Sequence, residues 1–248
     1  MPDKEWYREW FSSPYYQLMY FNRNEEEAEN FLKLLITQLH IQPQSKLFDV
    51  ACGQGRYSRV LANMGYYVTG IDISFEAIAE AKKYENNSLE FFQHDMRLPF
   101  RINYFDAAFN FFTSFGYFRT EREHADAIRT IASSLKLNGL LVFDYLNVHY
   151  AEDNMVKKEE QHAGNVIFHI TRWHDEKHFF KQIQVQDGNK IIKHLFTEKV
   201  VKFSPGDFTD MLAYHGMQVQ QVFGDYNLGS YNVKTSPRMI IVARKIHY

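Results

Sequence analysis

Residues 46–72 restrict the possible fold more than any other stretch of the chain. Lys46-Leu47-Phe48-Asp49-Val50 is a short apolar run of the kind that forms a buried strand. Ala51-Cys52-Gly53-Gln54-Gly55 breaks it, and a helical pattern starts near Tyr57 with Val60, Leu61 and Met64 on one face. A second apolar run, Tyr67-Val68-Thr69-Gly70-Ile71, closes at Asp72, 19 residues after Gly53. Glycines at a strand-to-helix turn allow positive φ and let a ligand lie against bare backbone. The helix that follows aims free N–H groups and a partial positive charge at that ligand. An acid ending the second parallel strand, about 20 residues on, is placed to accept hydrogen bonds from two ribose hydroxyls. The competing role for Asp72 is to cap a helix beginning at Ser74. Together these features make a nucleotide-type binding turn.

Two nucleotide chemistries compete for it. Dinucleotide sites want G-x-G-x-x-G, whose third glycine lets the helix pack on the strand. From Gly53 the chain reads Gly-Gln-Gly-Arg-Tyr-Ser, so Ser58 stands where that glycine belongs. Asp49, inside the first strand, would face a pyrophosphate poorly but suits a ligand carrying an ammonium group. A purely structural turn acid is the other reading of Asp49.

Residues 47–58 resemble motif I of the class I S-adenosylmethionine-dependent methyltransferases, roughly acid-x-G-C-G-x-G, with Ala51 in place of the first glycine. Further segments resemble that family in its order. Phe91-Phe92-Gln93-His94-Asp95-Met96 is similar to the segment where an acid meets the adenine amino group. Tyr104 to Asn110 is similar to the fourth strand, and Phe111 to Phe118 to the loop at its tip. Leu135-Lys136-Leu137-Asn138-Gly139 is similar to the turn into the fifth strand, with Asn138 replacing a glycine, as Asn also visits left-handed geometry. The resemblance covers residues 45–146 and says almost nothing about the methyl acceptor.

It implies an α/β fold: a doubly wound, seven-stranded, mostly parallel sheet whose last strand is antiparallel. The implied cofactor is S-adenosyl-L-methionine and the implied reaction is methyl transfer. The cofactor contacts it implies are Asp49, Ala51, Cys52, Gly53, Gly55 and Arg56 at the turn, and Asp72 at the ribose. Asp95 goes to the adenine amino group, with Ile73 and Met96 sandwiching the ring, and Asn110 and Phe111 stand at the fourth strand's tip. Tyr15, Tyr16 and Tyr20 could fold over the cofactor as related N-terminal helices do; core packing is the competing role. Ile73 and Met96 could equally be core, and Asp95 a surface acid. At the end of the fifth strand, Asp144 and Tyr145 are candidate proton acceptors and Asn147 a candidate acceptor contact. Arg172 and Arg238 could grip an anionic acceptor, or could be structural partners in ion pairs.

Outside the resemblance, residues 1–24 are rich in aromatics and lead to a helix that Asn24 caps and Pro43 stops. After the fifth strand, 166–173, 179–185 and 191–201 alternate in polarity, with Asp187-Gly188-Asn189 as a turn. An antiparallel β meander inserted there is the expected result. A helix from Pro205 to about His215 and strands at 217–225 and 237–245 finish the sheet. The expected organisation is therefore an N-terminal helical segment (1–44), a Rossmann-like domain (45–147 and 205–248), and an inserted lid or dimerisation subdomain (148–204). The acceptor pocket should draw on the 111–118 loop, residues 144–150, the N-terminal aromatics and the inserted sheet.

Charge and composition narrow the partners. A formal net charge of −2 sets up no global field toward nucleic acid or anionic membrane. The inserted segment carries nine Lys and Arg against eight Asp and Glu, so no basic platform for nucleic acid is expected. A homodimer through that sheet fits better. Aromatic content of 17% could line a ligand cavity. The single cysteine excludes an internal disulfide, and the eleven histidines show neither H-x-H nor H-E-x-x-H spacing, so no metal site is expected. The charged start and the lack of any long apolar run make a cytoplasmic protein the default expectation. The rivals are an NAD(P)-dependent oxidoreductase and a non-catalytic S-adenosylmethionine-binding regulatory protein.

Overall fold

The computed structural model describes residues 5–20, 25–188 and 190–247, with the side chains of 25, 27 and 190–194 left undescribed. The main sheet contains β1 (Lys46–Val50), β2 (Tyr67–Asp72), β3 (Leu89–Gln93), β4 (Phe105–Asn110) and β5 (Leu135–Leu146). A second, four-stranded sheet contains β6 (Lys158–Ala163), β7 (Val166–His174), β8 (His178–Asp187) and β9 (Lys190–Val201). The chain then returns to the main sheet as β10 (Met217–Phe223) and β11 (Arg238–Lys245). The main sheet's order is β10-β11-β5-β4-β1-β2-β3. Six strands are parallel to one another and β11 runs against β5 and β10, as the resemblance implied.

Helices cover both faces, which is why the strands read as apolar runs rather than as alternations. On one face α3 (Glu25–Gln38), α4 (Arg56–Asn63) and α5 (Phe75–Ala81) bury Phe31, Leu32, Leu35, Leu61 and Ile78 against Leu47, Phe109 and Val142. On the other, α6 (Glu121–Ser134) and α8 (Pro205–Tyr214) bury Ile128, Ile131 and Phe208 against Phe48, Val50 and Phe143. The strand order reverses between β1 and β4. At such a reversal the loops leaving neighbouring strands run to opposite faces and open a crevice beyond the carboxyl ends.

The remaining helices are α1 (Trp6–Phe11), α2 (Pro14–Tyr20) and α7 (Val148–Asp153). The aromatic N-terminal segment does not act as one unit. α3 packs on the main sheet, whereas α1 and α2 seat Trp10 and Met19 against Val166, Phe168, Ile170, Ile183 and Val185 of the second sheet. Gln161 Nε2 donates to the Met19 carbonyl at 2.7 Å, fastening the two layers. Together they roof the crevice.

Several expected boundaries move. The meander has four strands, because β6 (Lys-Glu-Glu-Gln-His-Ala) is an edge strand whose pairing with β7 is backbone-driven and whose charges show no alternation. Helix α3 ends at Gln38, before Pro43, and His40 at φ 51° turns the chain out of it. The Asn24 cap and Asn189 lie outside the described residues. The expected turn at Lys136–Gly139 is a wide bulge within β5: Leu135 faces Phe105, but Leu140 already faces Ala107. Asn138 takes the left-handed conformation there, at φ 66°.

Candidate functional site

A cavity of about 1050 Å³ lies beyond the carboxyl ends of the central strands and under the roof. Its floor is the glycine turn. Cys52 N donates to the Ile71 carbonyl at 2.9 Å and Gly55 N to the Cys52 carbonyl at 3.0 Å, which ties the loop to β2 and closes it. Ala51, Gly53 and Gly55 all have positive φ, at 61°, 56° and 76°. The two glycines serve different ends. A Cβ on Gly53 would meet nothing within 4 Å, so its backbone faces open cavity. A Cβ on Gly55 would press to 2.6 Å of Phe91 Cε1, and Gly55 is not in the cavity wall. Its role is close approach of helix to sheet, the job expected of a third glycine in dinucleotide turns.

Asp72 Oδ2 accepts from Gly53 N at 2.8 Å and Oδ1 from Ser74 N at 2.9 Å, so this carboxylate holds the turn against β2 while lining the cavity. It is not the helix cap: Ser74 Oγ accepts from Ala77 N and caps α5 itself. Burial raises the Asp72 carboxyl, and the backbone donors of Ser74 and Gly53 pull it back.

Asp49 is 2% exposed and lines the cavity floor. Ser58 Oγ donates to its Oδ2 at 2.5 Å. The serine that breaks the dinucleotide pattern is thus the partner of the acid that pattern lacks. Burial pushes the Asp49 carboxyl up to about 7, with Ser58 opposing and Asp72 adding to the rise. Arg56 is the one cation acting on it, and the weakest of these influences, so a cationic ligand group would relieve its desolvation.

Asp95 lines the cavity but is already engaged. Arg97 meets it through Nε at 3.0 Å and Nη2 at 2.7 Å, and Arg8 at 3.3 Å. Burial pushes its carboxyl up, but these cations outweigh that and hold it below the usual range. Arg97 also pairs with Glu5 and Glu123, each at 2.7 Å, so this hub fastens α1 to the loop after β3. Ile73, Met96, Cys52, Arg56 and Phe111 line the cavity as well, and the Arg56 guanidinium lies over the Tyr57 and Phe112 rings.

The far half of the cavity is aromatic. Phe11, Tyr16, Tyr20 and Tyr117 form a chain of rings, with centroids 4.9 Å (Phe11–Tyr16), 4.8 Å (Tyr16–Tyr20) and 5.5 Å (Phe11–Tyr117) apart. One acid joins them, Glu198 of β9. Its Oε1 accepts from Trp10 Nε1 at 2.8 Å and lies 3.6 Å from Lys181 Nζ. Nothing in the sequence marked Glu198: a single acid in an alternating strand reads as a solvated face.

Besides Gly55, six expected site residues stand elsewhere, Asn147 among them, its Nδ2 donating to the Val233 and Ser236 carbonyls at 2.9 and 2.8 Å. Asn110 is fully buried, its amide donating to the Val50 carbonyl at 3.0 Å, and braces β4 against β1. Asp144 and Tyr145 do not reach the cavity. Asp144 pairs with Arg238 at 2.6 Å and accepts from Phe112 N and the Tyr226 hydroxyl. Tyr145 donates to the Val201 carbonyl at 2.6 Å, and burial drives its phenol far above the usual range. Both are buried ties between the sheet and its surroundings. Tyr15 turns to Asp187, at 3.4 Å. Arg172 pairs with Glu159 at 2.6 Å, away from this cavity. Arg238 does border the cavity, paired with Asp144 and donating to Thr113 Oγ1 at 3.0 Å. Of residues 144–150, only Leu146 contributes to the wall.

Among the described residues no three His, Cys, Asp or Glu side chains converge as metal ligands, and no helix is long and apolar enough to cross a membrane. Residues 48–143 match the family model described as a methyltransferase domain. A putative methyltransferase of Geobacillus sp. (strain WCH70) is 26% identical over 226 residues, covering 88% of this chain and 91% of the relative. A dTDP-3-amino-3,4,6-trideoxy-alpha-D-glucopyranose N,N-dimethyltransferase of Streptomyces venezuelae is 28% identical over 131 residues, 52% of this chain and 54% of the relative. Among solved structures, an S-adenosylmethionine-dependent methyltransferase from Clostridium acetobutylicum ATCC 824 superposes with a TM-score of 0.77 at 15% identity, covering 93% of this chain and 95% of that one.

Proposed function

We propose that this chain is a class I S-adenosylmethionine-dependent methyltransferase that methylates a nitrogen of a small-molecule acceptor held beneath its roof. The observation that carries the reading is the division of one cavity into a glycine-and-carboxylate half and an aromatic half with a single acid, Glu198.

The first half fits the cofactor. Asp49 would take the methionine ammonium, Asp72 the ribose hydroxyls, and the Gly53 backbone would lie against the ligand with no side chain between. Ile73 and Met96 would flank the adenine. Because Arg97 and Arg8 occupy Asp95, the adenine contacts of that loop fall to Met96 rather than to the Asp95 carboxylate. When bound, S-adenosyl-L-methionine supplies a methyl group on a cationic sulfur, ready for in-line displacement.

The second half fits an amine. Ring faces attract a positive charge, and a carboxylate beside them orients N–H groups. An attacking neutral nitrogen gains positive charge as the new bond forms; Glu198, whose contacts with Trp10 and Lys181 both fall on Oε1, would stabilise that charge and receive the departing proton through Oε2. The roof aligns the acceptor and excludes water, the main work a methyltransferase does. The Streptomyces venezuelae relative, by name an amino-sugar N,N-dimethyltransferase, also favours nitrogen.

The test is formation of S-adenosylhomocysteine with paired acceptors, amino sugars against the same sugars bearing hydroxyl at that position. Turnover should be confined to the amines, and Glu198→Gln should cut it by about 10²-fold, the scale of one lost electrostatic contact to developing charge. Preferred turnover of the hydroxyl partners would contradict the nitrogen assignment.

Two further outcomes concern the cofactor half. Asp72→Ala should weaken S-adenosylhomocysteine binding by roughly 1.5–3 kcal/mol, the worth of charge-assisted hydrogen bonds; an unchanged Kd in calorimetry removes the ribose role. For Asp49 the sign follows from its raised carboxyl. The ionised form holds the ammonium, so affinity is full above about pH 7 and declines as pH falls below it. Asp49→Asn should bind more weakly and lose that dependence. Parallel pH profiles for the two proteins would end the assignment.

A further inference from the structure

The main cavity adjoins a second chamber of about 410 Å³ that no step above uses. One wall is α7 and the residues after it, Ala151, Asn154, Met155 and Val156. The opposite wall is the inserted sheet, with Arg172, Phe179, Phe180 and Lys181. Leu146, Glu198 and Val200 border both spaces and stand between them.

The chamber is built rather than incidental. Glu152 of α7 is ion-paired with Lys202, whose side chain is only 7% exposed. Lys202 also donates to His174 Nδ1 at 2.9 Å, so α7 is pinned across the end of the sheet. Phe180 stacks on Trp173 with ring centroids 5.2 Å apart, which fixes its face. The two cations in the wall are each matched by an acid, Arg172 by Glu159 at 2.6 Å and Lys181 by Glu198 at 3.6 Å. With the charges matched, what the chamber presents is mainly carbon.

We propose that this chamber binds an apolar part of the acceptor, an alkyl, acyl or aromatic group, while the reacting nitrogen sits at Glu198 in the main cavity. The proposal rests on the nitrogen-acceptor reading and adds the acceptor's shape: an amine head and an apolar body that meet past Leu146 and Val200, the side chains bordering both spaces. Specificity for the body then belongs to α7 and the inserted sheet, and specificity for the head to the aromatic rings.

Calorimetric titration of the S-adenosylhomocysteine complex tests it, using tetramethyl-, butyltrimethyl-, hexyltrimethyl- and octyltrimethylammonium with the matching n-alkanols as neutral probes. In the native protein affinity should rise about fourfold for each methylene lodged in the chamber, the ratio expected for a buried CH₂. Ala151→Phe, which puts a ring into the chamber, should lower that rise while leaving the affinities for tetramethylammonium and S-adenosylhomocysteine unchanged. Met155→Trp is the second filling variant should the first fold poorly. A flat series in the native protein, or an equal slope in the filled variants, overturns the chamber and leaves the nitrogen reading standing. A slope shared by the alkanols, with no binding of tetramethylammonium, upholds the chamber and removes the nitrogen reading. No binding by any probe overturns both.

Discussion

Arg238→Ala is expected to destabilise the protein by about 3–5 kcal/mol, the cost of stranding a buried charge. The Asp144 side chain has no solvent exposure and Arg238 lies 2.6 Å from it. Removing the cation leaves a carboxylate with only Phe112 N and the Tyr226 hydroxyl for company. The pair joins β5 to β11 where those strands meet the loop at 111–114, so its loss should also loosen one edge of the cavity. The double variant Asp144→Asn, Arg238→Met should recover most of the lost stability, because the stranded charge is gone. Urea unfolding of the three proteins measures this. A loss below about 1 kcal/mol for Arg238→Ala, the range of solvent-exposed pairs, would show that the pair is not buried in solution.

The other large effect lies at Gly55. Gly55→Ala is expected to cost about 2–5 kcal/mol from two sources. A φ of 76° costs an L-residue about 1–2 kcal/mol, and the new methyl collides with a core ring for about 1–3 more. That ring, Phe91, is fully buried and also lies against Gly70, so it has little room to withdraw. Gly53→Ala meets the same left-handed strain but no clash, so it should cost only about 1–2 kcal/mol in stability and be felt chiefly as weaker cofactor binding. Equal destabilisation by the two variants would refute the separate roles given to these glycines. Phe91→Leu should partly rescue Gly55→Ala, a double-variant cycle that isolates the clash from the strain.

Much of the architecture was legible in the chain. The apolar runs at 46–50 and 67–71, broken by glycines and closed by Asp72, read as buried strands, and their spacing sets the turn between them. The same locality made Gly53 and the left-handed Asn138 readable. What misled was position without environment. Asp144, Tyr145 and Asn110 sit at strand ends, where ligand contacts often occur, yet their side chains turn into the packing. Whether a strand-end side chain points at the crevice or at a neighbouring element depends on partners such as Arg238 and Val201, which lie far away in sequence. Strand β6 escaped notice because an edge strand can be held by backbone hydrogen bonds alone.

The sequence by itself determined the parallel sheet, the glycine turn and the pair of acids at 49 and 72, because these rest on local backbone geometry and on periodicity along a few residues. Tertiary structure decided the acceptor half. Glu198, Tyr16, Tyr117 and the α7 wall come from four separated segments, and only the packing of the N-terminal helices on the inserted sheet makes them neighbours. Contacts of that kind follow from which apolar faces meet, and no stretch of chain records its partner.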